Sequence, residues 1–231
     1  MSIIRVAGLS KTFGKGEAAA KALKDVHLSI EQGELVAITG PSGCGKTTLL
    51  HILAGIESID SGEVWIGGTP LHSTSDEKIA QLRLSKMGFV FQTYHLVPVL
   101  NAWENTALPL IASGMSTADA KARALEALKE VGLSDKAKRY PSQLSGGQNQ
   151  RIAIARALVG KPDIIWADEP TGALDTDTAS HIIGLLEMLN RHHGTTIVFV
   201  THDLSIAARA DRNIRMQNGR IVHDGVRGDI V

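Results

Sequence analysis

The chain has 231 residues, enough for one α/β domain with a sizeable core and an inserted subdomain. Hydrophobic residues make up 43% and charged residues 21%, as in ordinary globular proteins. The 24 Lys and Arg residues balance the 24 Asp and Glu residues, which argues against a dedicated nucleic-acid binder with a basic face. The single cysteine, Cys44, excludes an internal disulfide and fits a reducing compartment.

The apolar runs of the chain are all shorter than the roughly 18 residues that suggest a membrane-spanning helix. The first residues, Met1 to Val6, lack the basic start and the long apolar run of a signal peptide. The sequence therefore predicts that the chain stays in the cytoplasm.

Short apolar segments bounded by turn residues predict the strands of the fold. In chain order they are Ile3–Leu9, Val26–Ile30, Leu35–Thr39, Glu63–Ile66, Met87–Phe91, Asp163–Ala167, Thr196–Val200, Asn213–Met216 and Arg220–His223. Stretches with capping signals predict helices at Lys46–Ala54, Thr117–Val131, Gly146–Val159 and Thr178–His193. Asn218 and Gly219 separate the last two strands and predict a hairpin.

The order of these elements predicts an α/β fold. Strands and helices alternate in the later part of the chain, which indicates a mostly parallel sheet covered by helices. The early strands indicate a smaller antiparallel β layer beside it. The stretch from Thr93 to Pro141 is helical and interrupts the strands. We therefore expect one domain with a core at about 1–93 and 157–231 and an inserted helical subdomain at about 94–156.

A glycine-rich segment between a predicted strand and a predicted helix has the pattern G-x-x-x-x-G-K-[ST] of a phosphate-binding loop. Its residues are Gly40, Pro41, Ser42, Gly43, Cys44, Gly45, Lys46 and Thr47, followed by Thr48. Glycines let consecutive backbone N–H groups point at phosphate oxygens, and the helix N-terminus adds partial positive charge. Lys46 can reach the β- and γ-phosphates, and the Thr47 hydroxyl can bind Mg²⁺. The alternative is a glycine-rich turn that matches by chance, which the strand–helix context disfavours.

Two carboxylates, Asp168 and Glu169, follow the buried-strand pattern of Asp163–Ala167. Ligands of open α/β sheets bind at the carboxyl ends of the strands. We therefore expect Asp168 to bind Mg²⁺, directly or through water, and Glu169 to polarise the attacking water as general base. The alternative is a pair of solvated acids at the end of a strand.

A second segment of serine and glycine, Leu144–Gln148, opens another predicted helix. Ser145 and the glycines beside it can form a second anion site at a helix N-terminus. One chain has no obvious need for two γ-phosphate sites, whereas two chains arranged head to tail would each close on the nucleotide of the other. The alternative is an ordinary Ser-Gly-Gly helix cap.

Together, Gly40–Thr47, Leu144–Gln148 and Ile164–Glu169 resemble the Walker A, LSGGQ signature and Walker B motifs of the nucleotide-binding domain of ABC transporters. The resemblance covers nearly the whole chain. It implies a P-loop NTPase core of the ABC ATPase type, ATP and Mg²⁺ as cofactors, ATP hydrolysis, and a homodimer that forms on ATP binding. The nucleotide-contacting residues of the opposite copy are then Ser145, Gly146, Gly147 and Gln148.

Four further residues match the pattern of this family. Gln92 resembles the Q-loop glutamine, which senses Mg²⁺ or water and touches the membrane partner, and Asp175 resembles the D-loop aspartate. His202 resembles the switch histidine that contacts the γ-phosphate. Phe13 lies where an adenine-stacking aromatic is usual, with packing in the core as the alternative. The resemblance thus implies catalytic roles for Lys46, Gln92, Glu169 and His202, and metal-binding roles for Thr47, Gln92 and Asp168.

Three stretches resemble one subfamily, the lipoprotein-releasing and macrolide-exporting ATPases. They are Thr12–Glu17 with Ala22–Val26, Leu96–Asn105 with Leu108–Leu110, and Asp168–Asp175. Members pair with membrane permeases that have few spans and a large periplasmic or extracellular domain, which implies a peripheral position on the inner face of the cell membrane. The work implied is export, lipoprotein extraction, or peptide or drug resistance. A periplasmic or extracellular accessory protein is a further candidate partner, and no nucleic acid is expected.

The stretch after Gln92 is rich in apolar side chains, namely Tyr94, Leu96, Val97, Val99, Leu100 and Trp103. We expect some of them to form a hydrophobic groove for a coupling helix of the permease. The alternative is that they form the core of the helical subdomain.

Three other functions share parts of this pattern. Chromosome-maintenance and DNA-repair ATPases carry the same signature but insert long coiled coils between the nucleotide motifs. ABC-type translation factors normally have two such domains in one chain. A non-catalytic regulatory module is disfavoured by Glu169 and His202. Asn149, where Gln is more usual after the signature, is expected to have little effect.

Overall fold

The computed structural model of the chain describes residues 2–227. Its strands are β1 (Ser2–Phe13), β2 (Ala20–Glu31), β3 (Leu35–Thr39), β4 (Ser61–Ile66), β5 (Thr69–Pro70), β6 (Met87–Phe91), β7 (Ile164–Asp168), β8 (Thr196–Val200), β9 (Arg212–Gln217) and β10 (Arg220–Val226). Its α-helices are α1 (Lys46–Leu53), α2 (Asp76–Lys86), α3 (Ala102–Ala112), α4 (Thr117–Glu130), α5 (Gly146–Leu158), α6 (Thr176–His193) and α7 (Leu204–Ala207). Within residues 2–227, every helix is too short or too polar to cross a membrane.

The chain divides into two compact units. The terminal unit comprises the described residues of 1–81 and 196–231, and the central unit comprises residues 82–195. The boundaries expected for the helical subdomain, at about 94–156, remain a prediction.

The terminal unit contains strands in the order β10-β9-β3-β8. β3 pairs in parallel with β8 on one side and with β9 on the other, and β10 pairs antiparallel with β9. Every residue of β3 and β8 is buried, which explains the continuous apolar runs in their sequences. The chain leaves the carboxyl end of β3 through Gly40–Gly45 and enters α1.

The predicted antiparallel layer is a separate sheet of the terminal unit, with the order β2-β1-β4-β5. β1 and β2 run further than predicted, since their pairing continues to Phe13 opposite Ala20. Most of the added residues are polar and exposed or half-buried, but Lys11 and Leu23 are buried, so the extension combines backbone hydrogen bonds with partial burial. The two residues of β5 pair with the end of β4 across the turn at Gly67 and Gly68.

In the central unit, β6 and β7 pair in parallel, from Met87 opposite Ile164 to Phe91 opposite Asp168. α3, α4 and α5 pack against one another, and α5 also packs on β6. A Cβ atom on Gly88 would lie 2.3 Å from the carbonyl oxygen of Ala157, so only glycine permits this approach of strand to helix.

The helices differ from the predicted ones mainly at their ends. α6 begins earlier than predicted because Asp175 caps it, accepting a hydrogen bond from the N–H of Thr178. α3 begins with a capping box between Asn101 and Glu104. The sequence does not predict α2, because none of its residues is buried and it therefore has no apolar face to mark it.

Candidate functional site

In the terminal unit, the predicted phosphate loop joins a buried strand to a helix, as the pattern requires. Gly40 has φ 140° and Gly45 has φ 104°, backbone conformations that favour glycine. The Lys46 side chain turns back into the loop, where its Nζ donates to the carbonyl oxygens of Gly40 at 2.8 Å and Pro41 at 3.0 Å. The loop thus fixes a buried ammonium group beside the N-terminus of α1.

The phosphate loop rests on the hairpin turn between β9 and β10. The N–H of Gly219 donates to the carbonyl oxygen of Cys44 at 3.0 Å, and the carbonyl oxygen of Gly219 accepts from the N–H of Lys24 at 2.8 Å. A Cβ atom on Gly40 would collide with the carbonyl oxygen of Met216 at the end of β9. The sequence predicts the hairpin but not its hydrogen bond to the phosphate loop.

The residues of the phosphate loop differ in exposure. Ser42, Gly43 and Thr47 are exposed, while Cys44 and Lys46 are buried. The Thr47 hydroxyl is a hard oxygen donor, the kind of ligand that Mg²⁺ prefers. The loop therefore carries groups of the kinds that bind phosphate and Mg²⁺, and the roles of Lys46 and Thr47 remain predictions.

Phe13 is not a core residue. It ends β1, and the residue is 42% exposed. The Nζ of Lys11 lies 5.2 Å from the centroid of the ring and 2.8 Å from the Glu57 carboxylate. The hydrogen bond from Lys11 is the main reason that the pKa of the Glu57 carboxyl group is lowered. The structure thus leaves the ring of Phe13 accessible for stacking.

His202 lies at the same end of the terminal-unit sheet as the phosphate loop. The N–H of Thr201 donates to the carbonyl oxygen of Ile38 at 3.1 Å, which ties the residues after β8 to the last residues of β3. Asp203 then caps α7, and hydrogen bonds from Ser205 are the main reason that the pKa of its carboxyl group is lowered. His202 itself is exposed.

In the central unit, strand register brings Gln92 and Glu169 together. Phe91 and Asp168 are paired residues at the ends of β6 and β7, so the next residue of each strand leaves the sheet beside the other. Glu169 has φ 48°, a left-handed conformation that is uncommon for a residue with a side chain. Such strain occurs at functional positions. A Cβ on Gly172 would lie 2.9 Å from the Gln92 Nε2 atom, so the loop after Glu169 also packs on Gln92.

The signature segment, Leu144–Gln148, forms the N-terminus of α5. The Ser145 hydroxyl accepts from the N–H of Gln148 at 3.3 Å, and the Gln148 side chain accepts from the N–H of Ser145 at 3.0 Å. The glycines have a packing reason as well. A Cβ on Gly146 would lie 2.8 Å from the Tyr94 hydroxyl, and one on Gly147 would lie 2.5 Å from the Thr178 methyl group.

Asp175 is tied to the signature through the same threonine. The Thr178 N–H and hydroxyl donate to the Asp175 carboxylate at 2.9 and 2.7 Å. The backbone hydrogen bond from Thr178 is the main reason that the pKa of the Asp175 carboxyl group is lowered. The structure therefore brings Asp175, Thr178 and Gly147 together.

The contacts of three polar residues of α5 are not predicted from the sequence, which indicated little effect for Asn149 and gave no role to the other two. Asn149 donates from Nδ2 to the carbonyl oxygen of Pro141 at 3.0 Å, so it joins the helix to the turn before the signature. Gln150 and Arg156 donate to backbone carbonyl groups of other segments. A repeating pattern of polar residues on a helix gives no signal for such contacts, because it does not reveal which polar side chains are buried.

The predicted groove residues differ in exposure. Val97 and Val99 are 37% and 79% exposed, whereas Tyr94, Leu96, Leu100 and Trp103 are half-buried. The Lys121 Nζ lies 5.1 Å from the Trp103 ring centroid. None of the six residues belongs to the buried core, so the alternative expectation of a subdomain core is not met, and the groove for a coupling helix remains a prediction.

Comparisons with known proteins agree with these motifs. The family model described as ABC transporter matches residues 23–172. The chain is 48% identical over 220 residues to "Uncharacterized ABC transporter ATP-binding protein YbbA" of Escherichia coli K12, covering 95% of this chain and 96% of that protein. It is 47% identical over 216 residues to "Lipoprotein-releasing system ATP-binding protein LolD" of Bordetella pertussis, covering 94% of each.

A solved structure described as a dimeric post-hydrolysis state of the ATP-binding cassette MJ0796 bound to ADP and Pi is also similar. It has a TM-score of 0.89 and 42% identity, with 98% of this chain and 100% of that chain covered. The fold is therefore the ABC ATPase cassette, with parallel and antiparallel strands and helices, as predicted. The chain belongs to the ABC transporter family, and it is an ATP-binding, ATP-hydrolysing subunit of that class of transporter.

Proposed function

We propose that two copies of this chain close head to tail on two Mg-ATP molecules, and that the closure and the hydrolysis move a membrane permease. Lys46 and the backbone of the phosphate loop bind the phosphates, and Phe13 stacks on adenine. Thr47, Asp168 and Gln92 supply the oxygen ligands for Mg²⁺, which neutralises negative charge on the phosphates.

Hydrolysis needs a base beside the attacking water. Glu169 accepts the proton of that water, and Gln92 orients it. His202 donates a hydrogen bond to the γ-phosphate and stabilises the charge that develops there. The observation that carries this assignment is the register of β6 and β7, which brings Gln92 beside Glu169 while Glu169 has a left-handed backbone.

The second copy completes the site. Ser145 and Gly147, at the N-terminus of α5, donate to the γ-phosphate bound by the opposite chain. Asp175 belongs to the same surface, because Thr178 contacts both Asp175 and Gly147. The similar cassette structure, a dimer bound to ADP and Pi, supports the dimer on which this arrangement depends.

The test of the base assignment is Glu169→Gln. This variant keeps hydrogen-bonding capacity but loses the base, so it is expected to bind ATP, to dimerise, and to turn over about 10² to 10⁴ times more slowly. Turnover is measured as phosphate release, and dimerisation by light scattering with and without Mg-ATP. Glu126→Gln, at an exposed position of α4 in the same unit, is the matched control. Wild-type turnover in Glu169→Gln would refute the assignment.

The membrane partner is a permease with few spans and a large external domain, with a periplasmic or extracellular accessory protein as a further component. Similarity to LolD supports lipoprotein release as the work done, with peptide or drug export as the related alternatives. The chain then acts in the cytoplasm, as a peripheral subunit on the inner face of the membrane. Val97 and Val99, exposed a few residues after Gln92, are the contact for a coupling helix of the permease.

This contact is tested by co-purification. Val99→Asp places a charge in the proposed apolar contact, so it is expected to reduce recovery of the permease from detergent-solubilised membranes. Ile111→Asp is the matched control, because Ile111 is an exposed apolar residue of α3 outside this stretch. Equal recovery with both variants would refute the contact. A recovered permease that lacks a large external domain would refute the subfamily assignment.

A further inference from the structure

Two side chains of α5 are bonded to backbone on both sides of Gln92. Arg156 lies near the end of the helix, and its guanidinium donates from Nη1 to the carbonyl oxygen of His95 at 2.6 Å and from Nη2 to that of Tyr94 at 2.8 Å. The planar fork of arginine matches two consecutive carbonyl groups, a geometry that lysine does not reproduce. Burial lowers the pKa of Arg156 from its very high ordinary value, and the group stays charged near neutral pH.

The segment that Arg156 contacts has an unfavourable backbone. Tyr94 and His95 have φ 61° and 45°, two consecutive left-handed residues with side chains. The His95 ring also stacks on Phe91, with ring centroids 4.5 Å apart, so the chain folds back onto the end of β6. Conformations of this kind persist only where surrounding contacts enforce them. The bidentate contact from Arg156 is such an enforcing contact.

Tyr94 extends this restraint to the signature segment. Its hydroxyl lies 2.8 Å from the position of a Cβ on Gly146, so the tyrosine ring ends directly on the first turn of α5. The position of the loop after Gln92 and the position of the signature glycine are therefore fixed against each other through one side chain.

Gln150 restrains the other side of Gln92. Its Nε2 donates to the carbonyl oxygen of Pro170 at 2.6 Å and to that of Phe91 at 3.4 Å. Pro170 follows Glu169, and Phe91 precedes Gln92, so one amide joins the two segments that carry the proposed water-binding residues. The Gln150 Oε1 atom is buried and has no hydrogen-bond partner among residues 2–227. A buried amide oxygen without a donor is costly, so packing alone does not explain a glutamine here.

We propose that Arg156 and Gln150 are positioning residues for ATP hydrolysis, which hold the backbone on both sides of Gln92 from the helix that begins at the signature segment. The inference rests on the proposed role of Gln92. One helix, α5, then holds Gln92 in position beside Glu169 and holds the segment after Gln92 in position beside Gly146.

The test compares turnover with nucleotide binding. Arg156→Met removes both hydrogen bonds at similar length, and we expect kcat to fall about tenfold or more, with the Kd of a fluorescent ATP analogue within about twofold of wild type. Arg156→Lys keeps the charge and one donor and should recover part of kcat. Arg151→Met is the matched control on the same helix, since Arg151 bonds the carbonyl oxygen of Val131, and it should leave kcat unchanged. Amide hydrogen exchange at residues 92–96 should rise in Arg156→Met and not in the control.

Double variants separate positioning from a general structural role. If Arg156 acts through Gln92, the double variant Gln92→Ala, Arg156→Met has the same kcat as Gln92→Ala alone. Wild-type turnover in Gln92→Ala would refute the proposed function of Gln92 itself. The inference would be overturned if Gln92→Ala lowered kcat while Arg156→Met did not. It would also be overturned if the double variant lost as much kcat as the two single variants predict independently. Should Arg156→Met fail to fold, Arg156→Lys and Gln150→Leu are compared with Gln92→Ala in the same way. A folded Gln150→Leu with wild-type kcat would overturn the part assigned to Gln150.

Discussion

The contact between Gly147 and Thr178 predicts that Gly147→Ala lowers the free energy of unfolding, and by roughly how much. A methyl group on Gly147 would lie 2.5 Å from the Thr178 methyl carbon, and its next neighbour outside the first turns of α5 is the Thr178 Cβ at 3.9 Å. Gly147→Ala therefore costs about 1–3 kcal/mol through overpacking. The gain in helix propensity offsets about 1 kcal/mol of this, which leaves a net loss of stability of about 0–2 kcal/mol.

Thr178→Ser should rescue this variant. Serine keeps the hydroxyl that bonds Asp175 but lacks the methyl group that causes the collision. Alone, the change removes one half-buried methyl group and costs about 0.5–1 kcal/mol. If the two changes were independent, the double variant would lose about 0.5–3 kcal/mol. Because the new methyl group occupies the space of the old one, we expect the double variant to lie within about 0.5 kcal/mol of wild type.

The measurement is urea denaturation of the nucleotide-free protein, with ATP turnover as a second readout. The denaturation slope should be the same in all variants, so that the midpoints report stability. Turnover should fall in Gly147→Ala, because the collision with Thr178 displaces the signature. It should return in the double variant, because the collision is removed and the backbone N–H groups of the signature are kept. Gly147→Ala with Thr178→Val is the control that keeps the methyl group and should stay destabilised. A Gly147→Ala, Thr178→Ser protein as unstable as the sum of its parts would show that the methyl contact is not the constraint.

Three further predictions concern single positions. Alkylation of Cys44 with N-ethylmaleimide should be slow and should block ATP binding, with Mg-ATP protecting, because Cys44 is buried inside the phosphate loop; full activity after stoichiometric labelling would contradict this. Gly219→Ala should lower the unfolding free energy by about 1–3 kcal/mol or more, because Gly219 has φ 80° and a Cβ there would lie 2.7 Å from the Ala22 carbonyl oxygen. Gly67→Ala is the control in the same denaturation assay, and it should cost only about 1–2 kcal/mol, because Gly67 has φ 54° but open space around it. The folded-state pKa of Asp175 is lowered, so the carboxylate stabilises the fold above the ordinary pKa of aspartate, and this contribution is lost as pH falls through the lowered value. The stability difference between wild type and Asp175→Asn should therefore shrink between about pH 6 and pH 3. A constant difference would contradict the assignment.

Buried strands were the part of the fold that the sequence predicts best. Leu35–Thr39, Met87–Phe91 and Thr196–Val200 have the same bounds in the structure as in the prediction. Each is a short apolar run between polar or glycine residues, so the hydrophobic effect marks both of its ends. The strand–helix context of the phosphate loop followed directly from the first of these strands.

Contacts between distant segments were not predictable from local pattern. The polar residues Gln150, which is buried, and Arg156, which is half-buried, lie on a helix whose sequence does not show that they are bonded to other loops. Asn149, expected to have little effect, bonds the turn before the signature, and its Oδ1 is a buried oxygen with no partner within the described part of the chain. Such bonds depend on the arrangement of whole elements, which a periodic pattern does not specify.

Backbone strain is a second feature that local pattern misses. Glu169, Tyr94 and His95 all have positive φ, yet none of these residue types signals a left-handed conformation as glycine does. The Arg156 guanidinium bonds the backbone of Tyr94 and His95, and the loop after Glu169 packs on Gln92. Glu169, the proposed general base, is thus a position where intrinsic backbone preference is overruled.

The support of the phosphate loop by Gly219 has a consequence for synthesis of the chain. The loop itself is translated early, but the turn that bonds Cys44 and the strand end that confines Gly40 come from the last strands of the described chain. During translation, the loop therefore lacks its backing until the β9–β10 hairpin has left the ribosome and docked. We therefore expect nascent or truncated chains without this hairpin to bind ATP more weakly than the full chain.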